Sequence, residues 1–221
     1  MSRRAAFIRA NTALIRSPLT PELALHLAVE IVPIWRSTED ELAAQGVPPP
    51  FWAFAWAGGQ ALARYILDNQ SIVDGKRVLD FAAGSGLVAI AAAKAGAAQA
   101  TAVEIDDYAI AAIELNARTN DVAVKAICAD IVGSDDNWDV VLAGDVCYER
   151  EMSARVFDCL CMLALRGAIV LIGDPGRNYL PKSKLEPLQA YEVQTTRELE
   201  DREIRRTTVY RVWSERGAGP T

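Results

Sequence analysis

The chain has 221 residues, 51% hydrophobic and 24% charged, with a net charge of −6. That is enough for one α/β domain with a sizeable core and a small N-terminal appendage, and no apolar run reaches the ~20 residues needed to span a bilayer. The acidic balance argues against nucleic acid as a partner, because that binding is driven by basic patches, and it suits a basic protein or a small molecule better.

Residues 3–16 read as a surface helix with Phe7, Ile8, Leu14 and Ile15 on one side, stopped by Pro18. Four arginines and no acid in this segment also resemble an organelle presequence; the expected compartment is cytoplasmic, or mitochondrial if the segment is one. Leu23, Leu25 and Leu27 alternate with Ala24 and His26, so residues 22–28 lean towards a strand with His26 on its polar side. Thr38 and Glu41 offer a capping box for a helix to Gln45. Gly46-Val47-Pro48-Pro49-Pro50 then blocks helix and sheet alike. It is the expected joint between an appendage, residues 1–50, and a main domain, residues 51–221.

Phe51, Trp52, Phe54 and Trp56 precede Gly58-Gly59. The rings either staple the appendage to the core or wall a ligand, with the glycines letting backbone approach it. Residues 60–68 carry Leu62, Tyr65 and Ile66 at helical spacing.

The stretch RVLDFAAGSGLVAIAAAKAGAAQATAVEID, residues 77–106, organises the rest. It reads as strand, turn of small residues, Ala-rich helix closed by Gly96, and second strand ending in Glu104. This is a nucleotide-binding βαβ start. Asp80, just before the loop, would repel a pyrophosphate but suits a ligand that carries an amino group and no phosphate, such as S-adenosylmethionine. Glu104 stands where a carboxylate accepts both ribose hydroxyls.

Residues 107–120 form a helix and 122–129 the third strand, after which Asp130 is placed either to accept from an adenine amine or to cap the following loop. Residues 138–142, WDVVL, are a strand buried on both faces. Asp145 and Tyr148 follow it, at the carboxyl end of the sheet, where open α/β sheets bind ligands. Residues 151–165 form a helix and 167–172 the fifth strand, ending in the turn Gly173-Asp174-Pro175-Gly176-Arg177. A short helix is expected within 182–190, strands over 191–196 and 207–213, and a charged hairpin tip between them. The four cysteines lack CxxC spacing and His26 is the single histidine, so no metal site is expected and the compartment reads as reducing.

The expected fold is therefore α/β: a Rossmann-like, seven-stranded mixed sheet with helices on both faces and a terminal antiparallel hairpin. It resembles the class I S-adenosylmethionine-dependent methyltransferases. More narrowly, FWAFAWAGGQALARYILD from Phe51, GDVCYE from Gly144 and IGDPGR from Ile172 resemble the seven-β-strand protein lysine methyltransferases that modify the electron transfer flavoprotein β-subunit. The resemblance implies S-adenosylmethionine as cofactor, a protein substrate, and no nucleic acid or membrane; a monomer is favoured. It implies that Asp80, Gly84 and Gly86 line the methionine end and Glu104 takes the ribose. Asp130 and Ile131 would border the adenine, and Trp56 and Gly59 close the pocket. Asp145 and Tyr148 would face the target amine. The loop departs from the family pattern in having alanines before Gly84. A small-molecule N-methyltransferase acting on an amine or nicotinamide-like ring is the alternative; a nucleic-acid methyltransferase would carry prolines after Asp145 that are missing here.

Overall fold

The computed structural model describes residues 2–29, 49–195 and 204–213. The proposed helix ending at Gln45, the start of the proline joint at 46–48 and most of the charged hairpin tip lie outside them.

Helix α1 spans Arg3–Asn11 and stops earlier than its sequence suggests. Thr12 is extended and turns its hydroxyl back onto the Ile8 carbonyl. The residues expected to continue the helix form strand β1, Ala13–Arg16, which pairs antiparallel with β2, Ala24–Leu27. Strand pairing with the alternating leucines outweighs helical propensity here. The expected strand at 22–28 is thus present. His26 is only half-exposed, its Nδ1 3.4 Å from Thr12 Oγ1.

After a 3-10 turn at Phe51–Ala53 come α2 (Ala57–Asp68), β3 (Arg77–Phe81), α3 (Leu87–Lys94), β4 (Gln99–Glu104) and α4 (Asp107–Thr119). Next are β5 (Lys125–Cys128), β6 (Val140–Gly144), α5 (Arg150–Arg166) and β7 (Ile169–Asp174). The long strands β8 (Leu185–Gln194) and β9 (Ile204–Val212) close the fold. The helix expected within 182–190 is only a 3-10 turn at Lys182–Lys184, and strand begins at Leu185. Pro187 lies within that strand. It is tolerated because β8 is an edge strand, with a register irregularity between Pro187 and Gln189.

The seven strands run in the order β5-β4-β3-β6-β7-β9-β8. The first five are parallel, β9 is antiparallel to β7, and β8 is antiparallel to β9. Central strands are largely apolar on both faces because both are covered, with acids confined to their carboxyl-terminal parts. Val78, Val140 and Leu142 pack with α2 and α3, whereas Leu79, Val141 and Ala143 pack with Val156, Leu160 and Leu163 of α5. Strand order reverses beside β3, so the switch point lies between β3 and β6, and their carboxyl ends open the crevice where such sheets bind ligands.

The N-terminal hairpin is tied to α4 by two buried asparagines, Asn116 within the helix and Asn120 at its C-cap, and Asn116 carries the link on to the crevice. Asn120 Oδ1 accepts from Ala24 N at 2.9 Å and its amide donates to Ala24 O at 2.7 Å. Asn116 Oδ1 accepts from His26 N at 2.7 Å, and its amide donates to Ser85 O at 2.9 Å, inside the glycine-rich loop. One side chain thus links hairpin, helix and loop, and its burial makes an unpaired amide there expensive.

Candidate active site

The loop after β3 is shaped by backbone. Ala82, Gly84 and Gly86 all have positive φ, at 53°, 53° and 80°. Glycine meets that need without strain at two of the three positions, and Ala82 bears it as a non-glycine residue. A Cβ on Gly86 would also meet Ile113 at 3.1 Å, so that glycine lets the loop lie on α4.

Asp80 is fully buried and its Oδ2 accepts from Ala89 N, in the first turn of α3, at 2.8 Å. Burial pushes its carboxyl up to about 8; the Ala89 N–H opposes the shift and the nearby Glu104 adds to it. Glu104 is half-buried, with Oε1 accepting from Gly84 N at 2.9 Å and Oε2 from Ile105 N at 3.0 Å. Its carboxyl is raised by burial against these hydrogen bonds. Each oxygen keeps a lone pair, so the carboxylate both fixes the loop and can still accept from a ligand diol. Asp106 caps α4 through Tyr108 N at 2.8 Å.

Asp80, Glu104 and Asp106 therefore gather around the loop. This acid set suits a ligand with cationic centres and hydroxyls and opposes a phosphate. The fit with S-adenosylmethionine, which carries a sulfonium, an ammonium and a ribose, is good.

The sequence missed Ile105, an apolar side chain 76% exposed between Glu104 and Asp106. An isoleucine between two acids just past a strand was the available signal. Asp130 is exposed. Its Oδ1 accepts from Val132 N at 3.0 Å and its Oδ2 lies 3.5 Å from Arg155, so it caps its own loop. Ile131 is partly buried against the α5 side of the sheet.

The aromatic run divides. Trp52 is 1% exposed and stacks on Tyr108 at 6.4 Å, as a staple would. Phe51 and Trp56 face the crevice: Phe51 lies 6.2 Å from Trp56 and 6.1 Å from Tyr148, ring to ring. The Trp56 indole N–H donates to Phe51 O at 2.9 Å. Phe51 and Tyr148 are both 52% exposed, so this ring wall is an open rim. Burial, and then the negative charges of Glu104 and Glu149, raise the Tyr148 phenol above its ordinary value.

Helix α2 begins at Ala57, not Gln60, and Gly58-Gly59 lie in its first turn rather than in a flexible link. Their smallness serves contact with the sheet. A Cβ on Gly58 would overlap Gly173 O and sit 2.5 Å from Asp145 Oδ2, and a Cβ on Gly144 would sit 2.8 Å from Gly59 Cα. The helix N-terminus is thereby pressed onto Asp145, whose Oδ2 accepts from Gly59 N at 3.1 Å. Asp145 itself has φ of 56° and donates its N–H to Gly173 O at 3.0 Å. Its Oδ1 accepts from Arg177 Nη2 at 2.7 Å and Nε at 3.2 Å. Helix α5 is capped by Glu149, through Glu151 N and Met152 N, so Asp145 has no capping duty there. The segments from Phe51, Gly144 and Ile172, far apart in sequence, converge on this one carboxylate.

The family model of ribosomal protein L11 methyltransferases matches residues 60–146. Among solved structures, the chain is similar to ribosomal protein L11 methylase from Lactobacillus delbrueckii subsp. bulgaricus, with 22% identity and a TM-score of 0.56 over 90% of this chain and 98% of that one. It is also similar to magnesium protoporphyrin IX methyltransferase from Synechocystis with bound S-adenosylmethionine, at 14% identity and TM-score 0.54, covering 70% of this chain and 78% of that one. Sheet order and these likenesses define a methyltransferase-type α/β fold. The electron transfer flavoprotein beta subunit lysine methyltransferase of Xenopus laevis is 36% identical over 212 residues, 93% of this chain and 85% of that protein. The Homo sapiens protein of the same name is 39% identical over 177 residues, 78% of this chain and 66% of that protein. The chain belongs to the electron transfer flavoprotein beta subunit lysine methyltransferase family.

Proposed function

We propose that this enzyme methylates lysine side chains of the electron transfer flavoprotein β-subunit. The observation that carries the reading is the joining of Phe51, Trp56 and Tyr148 into one open ring wall, linked through Arg177 to Asp145. An open rim admits a side chain projecting from a folded protein. A small ring substrate would favour a closed pocket, so the rim counts against the small-molecule alternative.

In this reading Asp80, Gly84 and Gly86 line the methionine end of the cofactor. Glu104 accepts from the ribose hydroxyls. Ile105 offers an apolar face to the adenine, with Asp130 and Ile131 at its border, although Asp130 is occupied by its own loop and Arg155. Trp56 and Gly59 close the site from the α2 side. The bound cofactor supplies an electrophilic methyl group on a sulfonium. The chain's residues bring a lysine nitrogen to it, in line and without its extra proton, since lysine is mostly protonated near neutrality. Asp145, fixed on two sides, orients the amine by accepting a hydrogen bond. Tyr148, Trp56 and Phe51 flank the aliphatic stem with their rings.

The test is incubation of the purified enzyme with methyl-labelled cofactor and purified electron transfer flavoprotein. Label recovered as methylated lysine in the β-subunit is the expected result. Label absent from that subunit but present on another protein or a small amine would overturn the assignment.

A further inference from the structure

Asp145 does not stand as a bare anion. Arg177 approaches Oδ1 with both Nη2, at 2.7 Å, and Nε, at 3.2 Å. The two side chains are 20% and 9% exposed. Arg177 is no loose arm: its backbone N–H donates to Asp174 Oδ1 at 2.7 Å, as does that of Gly176, also at 2.7 Å, and Gly176 has a φ of 89°. Its guanidinium carbon lies 5.9 Å from the centroid of the Trp56 ring. A rigid turn therefore delivers a fixed positive charge between the amine-facing carboxylate and one wall of the mouth.

We propose that Arg177 is a positioning residue that holds Asp145 in place and cancels its charge, so that the mouth retains the target lysine as a neutral amine rather than as a trapped ammonium. The inference rests on lysine being the substrate. A lone buried carboxylate would stabilise the ammonium, whose nitrogen has no free electron pair. Paired with a guanidinium that cannot lose its proton, the same carboxylate still accepts a hydrogen bond but no longer favours the cation. The lysine's extra proton leaves to water at the exposed rim by Tyr148. The nitrogen lone pair then forms the new N–C bond as the C–S bond breaks, with that electron pair leaving on sulfur.

Among the described residues, the titratable groups next to the pair include Asp174 from β7 and Cys147 from the segment after β6, with Tyr148, Glu149 and Glu104 further along the mouth. The start of α2 contributes the Gly59 N–H. Among these described residues all but Arg177 are acidic or neutral, so removing Arg177 makes their surroundings more negative.

The test is the pH profile of kcat, which reports ionisations in the enzyme–substrate complex, on the flavoprotein β-subunit for wild type, Arg177→Gln and Arg177→Lys, with cofactor affinity and thermal midpoint measured alongside. Arg177→Gln should move the acid limb up by about one pH unit, an approximately tenfold loss at neutral pH that alkaline pH recovers. Arg177→Lys keeps the charge without the fork, so its limb should stay in place while kcat falls. An unmoved limb in Arg177→Gln would overturn the proposal, as would higher turnover at neutral pH, the sign of a cation that merely competes with lysine. If Arg177→Gln does not fold, a displaced limb in Arg177→Lys overturns it instead. Failure of the wild type to methylate any lysine of the subunit would instead sink the substrate reading on which the proposal stands.

Discussion

Replacing Gly58 with alanine tests the way α2 braces the site. The added methyl would overlap Gly173 O and come to 2.5 Å from Asp145 Oδ2. One obstacle is backbone of a central strand and the other a carboxylate held by Arg177, so neither yields cheaply. Overpacking of this kind costs about 1–3 kcal/mol, against a gain of at most ~1 kcal/mol for alanine over glycine in a helix. The net is about 0–3 kcal/mol of destabilisation. The larger effect is displacement of the helix start from Asp145, with loss of the Gly59 hydrogen bond. Gly59→Ala separates the two glycines: its methyl would meet only Val88 Cγ2, at 3.9 Å. Its stability should hold or rise slightly, while cofactor affinity falls because the methyl enters the space beside the loop. Urea unfolding, cofactor calorimetry and methyl transfer on all three proteins decide the matter. Equal stability and turnover for Gly58→Ala and wild type, or greater destabilisation by Gly59→Ala, would refute the reasoning.

Glu104→Gln should weaken cofactor binding by about 1.5–3 kcal/mol by removing a charged acceptor, with calorimetry as the check and unchanged affinity removing Glu104 from the site. Asp80, raised to about 8 by burial, gives a signed pH dependence. Its folded pKa lies above its unfolded value, so its contribution to stability is full at low pH and is lost as pH rises through about 8. A cationic ligand favours the carboxylate, so binding near neutrality should release a proton and affinity should rise from about pH 6 to about pH 8. Calorimetry in buffers of different ionisation heat measures that proton; a pH-independent affinity with no proton released would exclude Asp80 from contact with the ligand's charge.

What the sequence shows plainly is what short-range chemistry controls. The period of the apolar runs exposes β3, β4 and β6, and small residues before an Ala-rich helix expose the loop. Acids at strand ends mark the crevice, because the sheet's topology sends every parallel strand end to one edge. The failures have a common cause. Residues 13–16 look helical in isolation and become strand because β2 lies across from them. Residues 185–190, expected to hold a short helix, belong to strand β8, and Pro187 is accommodated at that edge with a register irregularity. Arg177 can be found as part of a turn, yet its pairing with Asp145 depends on β6 and β7 lying side by side. Asn116, which joins His26 to Ser85, has no local signature at all. Gly58 and Gly59 invite a ligand-facing reading, whereas the contact that demands Gly58 is with Gly173 of the sheet.

The central claim is that Asp145 serves lysine methylation. Its most direct test compares wild type and Asp145→Asn on purified electron transfer flavoprotein β-subunit, reading intact mass and methylated positions together with cofactor affinity. The account predicts methyl groups on lysine alone with wild type. Asp145→Asn should keep cofactor affinity within about twofold, lose roughly 1–3 kcal/mol of stability because Arg177 is left without its carboxylate, and leave the subunit essentially unmodified. An unmodified subunit with wild type, or near-normal lysine methylation by Asp145→Asn, would contradict it.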